Sequence, residues 1–372
     1  DAKTFGTSSI MLGDATTGTI DGANYNTGLG IDVFAALTTG DNNVAVGFAA
    51  LDANTTAANN TAIGSQALTA TTTGSNNTAV GQDAGLAITT GAHNVTIGTK
   101  SQMTNTTGNY NVSIGKESLK LLTTASNNTA LGYVTLQATT TGADNTAVGA
   151  NALQANTTGH SNTAVGKKAL VVSTTGSYNT AVGWEAGVGI TSGQSNTLGF
   201  RAGDANTTGS TNTAVGRDAL SAATTVSSQT AIGYEALKVQ HTNGNNTAVG
   251  YQAGLTVTTG AGNDLYGYQC GDKITTGYSN IIYGGFSMDS GADKTGYNNV
   301  GIGPSIMRNM TSGHSNTGAG VRNLEDNTTG ASNTALGYES LVNLTTGSSN
   351  AAVGVSSMSS TTTGSGNTCM GN

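Results

Sequence analysis

The sequence predicts an all-β protein, a parallel β-solenoid of about 22 coils built on a 17-residue repeat. Three observations lead there. First, a glycine recurs every 17 residues from Gly13 through Gly30, Gly47 and Gly64 to Gly183, then, after a one-residue contraction, from Gly199 to Gly284, and, after a two-residue insertion, from Gly303 to Gly371. Second, a run of the type Asn-Thr-Ala-Val precedes most of these glycines. Third, no apolar period of about 3.6 residues occurs, and glycine, threonine and asparagine are poor helix formers. A fixed period this short means stacked copies of one small unit rather than a globule around one core.

Each position in the unit has a physical role, counted from the recurring glycine as zero. Position −1 is a branched aliphatic column that includes Val80, Ile97, Ile114, Val148, Val165 and Val182. It reads as the buried core ladder, with the Thr or Val at −3 on the same face of a short strand. The alanine at −2 then faces the other way. Position −4 is asparagine in 19 of 22 repeats, so Asn60, Asn77, Asn145, Asn162 and Asn333 are expected to form a ladder of bonded amides. The glycine ends the strand where a Cβ is excluded. The Ala-Leu pair at +3 and +4, as in Ala67-Leu68 and Ala152-Leu153, predicts a second strand that meets the aliphatic column. Thr-Thr-Gly closes the coil. Stacked at about 4.8 Å per coil, such units make a rod on the order of 100 Å long.

Composition narrows the class. The chain has 55 glycines, one proline and only 9% charged residues, a usage typical of disorder, but the apolar positions keep a register that disordered chains lack. Its 372 residues would ordinarily suggest two or three domains. The repeat argues instead for one repetitive domain over 1–372, with irregular coils near 193–199 and 285–303. Net charge is −7, and 13 scattered Lys and Arg residues form no basic face, so nucleic acid is not an expected partner. No apolar run is long enough to span a membrane. The N-terminal Asp-Ala-Lys-Thr-Phe-Gly does not read as a signal peptide, so either a signal has been removed or the sequence is part of a longer chain. Cys270 and Cys369 lie about six repeats apart, roughly 28 Å at one strand spacing per coil, too far for a disulfide. Both are expected to be small buried thiols in place of alanine.

The segments Ser161-Asn162-Thr163-Ala164-Val165-Gly166 and Tyr110-Asn111-Val112-Ser113-Ile114-Gly115, with Ala-Leu following the first, resemble the head repeats of YadA-like trimeric autotransporter adhesins. Similar repeats occur in phage tail fibres. The resemblance covers nearly the whole chain and implies a left-handed parallel β-roll, three of which pack side by side. The repeat here is longer than the family's by its Thr-Thr-Gly loop, and no neck, heptad stalk or membrane barrel is present in the sequence.

Candidate sites are few. His93, His160, His241 and His314 lie in non-adjacent coils, too far apart to share a metal. No nucleophile–base–acid set and no phosphate loop stands out, so neither catalysis nor a cofactor is expected. Tyr234, Tyr251 and Tyr268 occupy position +1 of successive coils, with Tyr283 and Phe286 close to the inserted coil. These aromatics either stabilise the stack or contact cell-surface glycans. Sequons at Asn54, Asn105, Asn156, Asn206 and Asn327 all fall at +7 and form a line of candidate glycosylation sites. Both ends read as uncapped, because Ser9–Gly13 is already in register and Asn367–Gly371 is a full consensus strand. Solenoids ordinarily cap their ends, so the expectation is a head-to-tail filament or a piece of a longer fibre. The sequence therefore predicts a non-enzymatic structural subunit of an extracellular or surface fibre, with adhesion as a use. It would self-associate as a homotrimer, a filament or both. The alternative is a virion tail fibre or adhesin head that recognises a cell-surface glycan.

Overall fold

A computed structural model describes residues 2–5, 9–13, 22–242 and 244–371. The chain divides into two compact units, Asp1–Glu185 and Ala186–Asn372, and the division falls within the contracted coil between Gly183 and Gly199. Both units are parallel β-solenoids, and no helix occurs among the described residues. In the first unit, β2 (Ser9–Leu12) pairs in parallel with β3 (Thr27–Leu29), placing Ile10 opposite Thr27 and Leu12 opposite Leu29. The same 17-residue offset sets Thr146 opposite Thr163 and Val148 opposite Val165 further along. In the second unit it sets Thr230 opposite Thr247. The inserted coil keeps the strand register, with Ile281 opposite Val300 and Tyr283 opposite Ile302. Its two extra residues are taken up before Lys294, which forms a parallel bridge with Ile274.

Each coil contains one strand, usually of three residues, and the expected second strand at +3 and +4 is not formed. Those positions lie in a turn whose backbone alternates hand, with Gln66 at +2 at φ 59° and Leu68 at +4 at φ 51°, and Asn76 at +12, in the corner before the next strand, is also left-handed at φ 62°. A left-handed non-glycine residue costs roughly 1 kcal/mol, so the turn needs compensation. It comes from hydrogen bonds along the stack. Leu68 donates its N–H to the carbonyl of Ala84 at 3.0 Å, Ala70 to Leu86 at 3.1 Å and Thr72 to Thr89 at 3.0 Å. The backbone ladder therefore continues around the turns as well as through the strands.

The two faces of the strand are the reverse of the sequence expectation. The −2 alanines, among them Ala62, Ala79, Ala147, Ala164 and Ala181, are fully buried. Val80, Ile97, Ile114, Val148 and Val165 are only partly buried, and Val182 is exposed. The reason is the width of the coil. Leu68, Leu136, Leu153 and Leu170 at +4 project inward and are fully buried, which leaves room for no more than a methyl group from the facing strand. Departures from consensus obey the same limit. Where Phe34 enters the core, the −2 residue beside it is Gly28, and Ile306 is accommodated by Gly301 and Gly318. Where the −2 residue is the larger Leu265, the residues near it at +4 are Gly254 and Gly271. Side-chain volume is conserved across the coil although the residue at each position is not.

Polar ladders line the interior. The −4 asparagines from Asn26 to Asn350 are buried, and along the stack Oδ1 accepts the backbone N–H of the next, as from Asn77 to Asn60 at 2.9 Å and from Asn162 to Asn145 at 3.0 Å. Most of their Nδ2 groups also reach a carbonyl in the following turn, for example Asn145 to Gly159 at 2.9 Å and Asn333 to Gly347 at 2.9 Å. The ladder crosses the inserted coil intact, since Asn299 donates its N–H to Asn280 Oδ1 at 3.1 Å. A second ladder uses the first threonine of Thr-Thr-Gly: Thr55 Oγ1 donates to the Thr72 carbonyl at 3.1 Å and Thr89 Oγ1 to that of Thr106 at 3.1 Å. At position zero, Gly166 has φ 134°, and a Cβ there would strike the carbonyl oxygen of Gly183 in the next coil.

The first coil is not bare, as the sequence suggested. β1 (Ala2–Phe5) runs antiparallel to β2, with Ala2 opposite Leu12 and Phe5 opposite Ser9, and covers its outer edge. This pairing has no counterpart in the repeat, so periodicity gives no sign of it.

Candidate interaction surface

The outward strand face of the first unit has a uniform chemistry. From β3 to the strand Thr180–Val182, every −3 position is Thr or Val and every −1 position is Val, Ile or Leu. Ten consecutive coils contribute to it without one charged side chain. Leu29 is 50% exposed and Leu131 44%. Ten coils at about 4.8 Å, one short strand wide, make a flat strip of roughly 500 Å². That is near the upper end of the apolar patches that soluble monomers leave open. In the second unit the corresponding face is interrupted by Asp264, Tyr266, Ile281 and Tyr283.

The aromatic residues stack on one another. Tyr234, Tyr251 and Tyr268 form a continuous row with ring centroids 5.1 and 5.0 Å apart and planes within 9°. Phe286 tilts onto the end of this row, and the Arg217 guanidinium, lying over both Phe200 and Tyr234, extends it in the other direction. Tyr283 belongs to a different row, stacked on Tyr266 at 4.5 Å on the outward strand face. Tyr278, Tyr297 and His314 make a third row. Sugar rings pack against open aromatic faces, but Tyr251, Tyr268 and Tyr297 have a ring neighbour on either side, and each other tyrosine of these rows has one. Burial first, then the neighbouring phenols, pushes the Tyr251 hydroxyl above its ordinary pKa, and the same causes act on Tyr266.

The remaining candidates are placed differently from the sequence reading. Asn54, Asn105, Asn156, Asn206 and Asn327 are all buried. Asn54 accepts the N–H of Ala57 at 3.0 Å and donates to its carbonyl at 3.2 Å, and Asn327 makes the same closed turn with Gly330. A glycan on Nδ2 would replace that bond and fill the core, so these are corner residues and not modification sites of the folded coil. Three histidines pack against tyrosines: His93 on Tyr110, His160 on Tyr178 and His314 on Tyr297. Among the described residues, no three His, Cys, Asp or Glu side chains gather as a metal site would require. Cys270 is buried as expected, at an alanine position, and burial raises its thiol pKa to about 12. Cys369 is only partly buried, a correction that follows from its place in the last strand, with a neighbouring strand on one side only among the described residues.

One group was not singled out from the sequence. Lys294 is fully buried opposite Ile274, and its ammonium donates to the Ser290 carbonyl at 2.5 Å. Burial lowers its pKa to about 8, against the pull of Asp289 and Asp272. Asp272, also buried, is raised to about 6 by desolvation, and Asp289 pairs with Arg308 at 3.1 Å. Aligned on its strand, the inserted coil puts Lys294 at the first-threonine position, nine residues before Gly303 as Thr275 is before Gly284, so the repeat carries no sign of its place opposite Ile274.

No protein-family model matches this chain, and no curated protein is similar to it in sequence. Among the described residues, no helix is long and apolar enough to cross a membrane.

Proposed function

We propose that this chain is a structural subunit of an extracellular or surface fibre, and that copies associate side by side through the outward Thr/Val and Val/Ile/Leu face. One observation supports the reading above others: ten consecutive coils turn an uncharged, largely β-branched strip outward while alanine fills the core. Burying such a strip against a like strip removes apolar area from water without stranding a charge. Three copies are proposed, in keeping with the resemblance to the head repeats of trimeric adhesins. A glycan-recognising role ranks second, because the stacked tyrosine rows leave few ring faces open.

Light scattering coupled to size exclusion tests the proposal. The unaltered chain is expected to have three times the mass of one chain. The double variant Ile97→Lys, Ile114→Lys is expected to be monomeric with an unchanged circular dichroism spectrum, since both side chains lie on the outer face. A monomeric unaltered chain, or a double variant that still assembles, would reject the face as the interface.

A further inference from the structure

Tyrosine is unevenly distributed in this protein. Seven of the 12 tyrosines lie between residues 234 and 297, and each of the seven stacks on another tyrosine. The other five, Tyr25, Tyr110, Tyr133, Tyr178 and Tyr338, are at least as exposed, and none of them stacks on a tyrosine. Near-parallel rings on consecutive coils hold phenols beside one another without any motion of the backbone. In the first row the centroid spacings are 5.1 and 5.0 Å, and between Tyr278 and Tyr297 the spacing is 4.8 Å with planes within 5°. Tyr251, Tyr268 and Tyr278 are also open to solvent at 41%, 48% and 45%. A one-electron oxidant can therefore reach them. Preorganised partners of this kind react far faster than partners that must meet by diffusion.

We propose that the row Tyr234–Tyr251–Tyr268 and the pair Tyr278–Tyr297 are sites of oxidative tyrosine–tyrosine coupling, which links neighbouring coils covalently. The oxidant is hydrogen peroxide acting through a haem peroxidase. Each of two phenols gives up an electron and its hydroxyl proton, and the peroxide takes up both pairs to become two waters. The two phenoxyl radicals then join through ring carbons ortho to oxygen. Each of those carbons transfers its hydrogen as a proton to the oxygen of its own ring, which restores both aromatic rings and both hydroxyls. The protein loses two hydrogens in total and gains one carbon–carbon bond. The Tyr278–Tyr297 link would tie the inserted coil to the coil before it. The site does not depend on side-by-side assembly, because neither set lies on the outward strand face.

The test is to treat dilute full-length protein with peroxide and a haem peroxidase, digest it and sequence the linked peptides by tandem mass spectrometry. Expected are peptides joining Tyr251 to Tyr234 or Tyr268, and Tyr278 to Tyr297, each two hydrogens lighter than the sum of its parts. Their yield should not change on tenfold dilution of the protein. The variant Tyr251→Phe preserves the stack and should abolish the first link, because Tyr234 and Tyr268 then have no tyrosine between them, while Tyr278–Tyr297 still forms. Links dominated by Tyr110, Tyr133, Tyr178 or Tyr338, or a yield that falls with dilution, would overturn the proposal. So would an absence of coupling in a mixture where free tyrosine is coupled.

Discussion

At the scale of single residues, the interior asparagines carry an unusual share of the structure. Asn145 donates to Asn128 Oδ1 and to the Gly159 carbonyl, and accepts both the N–H and the Nδ2 of Asn162. Asn145→Ala leaves those partners unsatisfied in a dry interior, at an expected cost on the order of 3–5 kcal/mol. Asn127, whose bond to Asp144 is on the surface, should cost only about 1 kcal/mol when changed to Ala, because alanine tolerates its left-handed φ of 63° less well. Hydrogen exchange of the strands at 129–131, 146–148 and 163–165 would show the difference as much faster opening in the first variant than in the second. The +7 asparagines lead to a second expectation: protein secreted from a glycosylating host should have the intact mass of the bare chain. Lys294 leads to a third. Its pKa in the fold lies below the ordinary lysine value, so the cost of burying its charge is present in full below about pH 8 and is relieved as pH rises further. Lys294→Met, an uncharged side chain of similar length, is therefore expected to be more stable than the parent at neutral pH by about 1–3 kcal/mol. The gap should shrink by pH 10. The comparison between variants is needed because Cys270, Tyr251 and Tyr266, with raised pKa values, make both proteins less stable in alkali. Denaturant titrations of both proteins at the two pH values would check it.

At the scale of the coil, the glycine at zero permits the closest approach of backbone between repeats. Gly166→Ala puts a methyl group against the Gly183 carbonyl in a backbone region that alanine avoids, and is expected to cost about 2–4 kcal/mol, read as a lowered unfolding midpoint. The period and the asparagine ladder were both legible in the sequence, because each needs the same residue at the same place in every coil. The identity of the inner face was not. Alternation assigns Thr and Val to one side and Ala to the other, but hydrophobicity alone favours burying valine. The deciding quantity is the space inside the coil, which depends on the leucine across from it. The false second strand has a clearer lesson. Position +4 is Gly85, Gly187, Gly203, Gly254 or Gly271 in five coils, each with φ between 60 and 64°. Leucine alternating with glycine at one position signals a left-handed turn, since a strand offers glycine no advantage there.

At the scale of the molecule, each coil contacts mainly its two neighbours, so stability accumulates coil by coil and is not held in one core. Deleting residues 150–166, one whole repeat within the first unit, rejoins Gly149 to Lys167 with the ladders in register. The product is expected to keep its circular dichroism spectrum and unfold at nearly the same midpoint. Deleting only 150–158 leaves the strand out of step and should give a far less stable protein, seen by the same two measurements. The inserted coil bears on the same point. Its strand and its asparagine stay in line with their neighbours although the loop between them is two residues longer. At the level of the gene, an unequal exchange between two repeats gives a foldable product whenever it gains or loses a whole repeat. A small in-frame insertion that reaches the loop is tolerated as well. The length of such a protein can thus drift over generations while the shape of every coil stays the same.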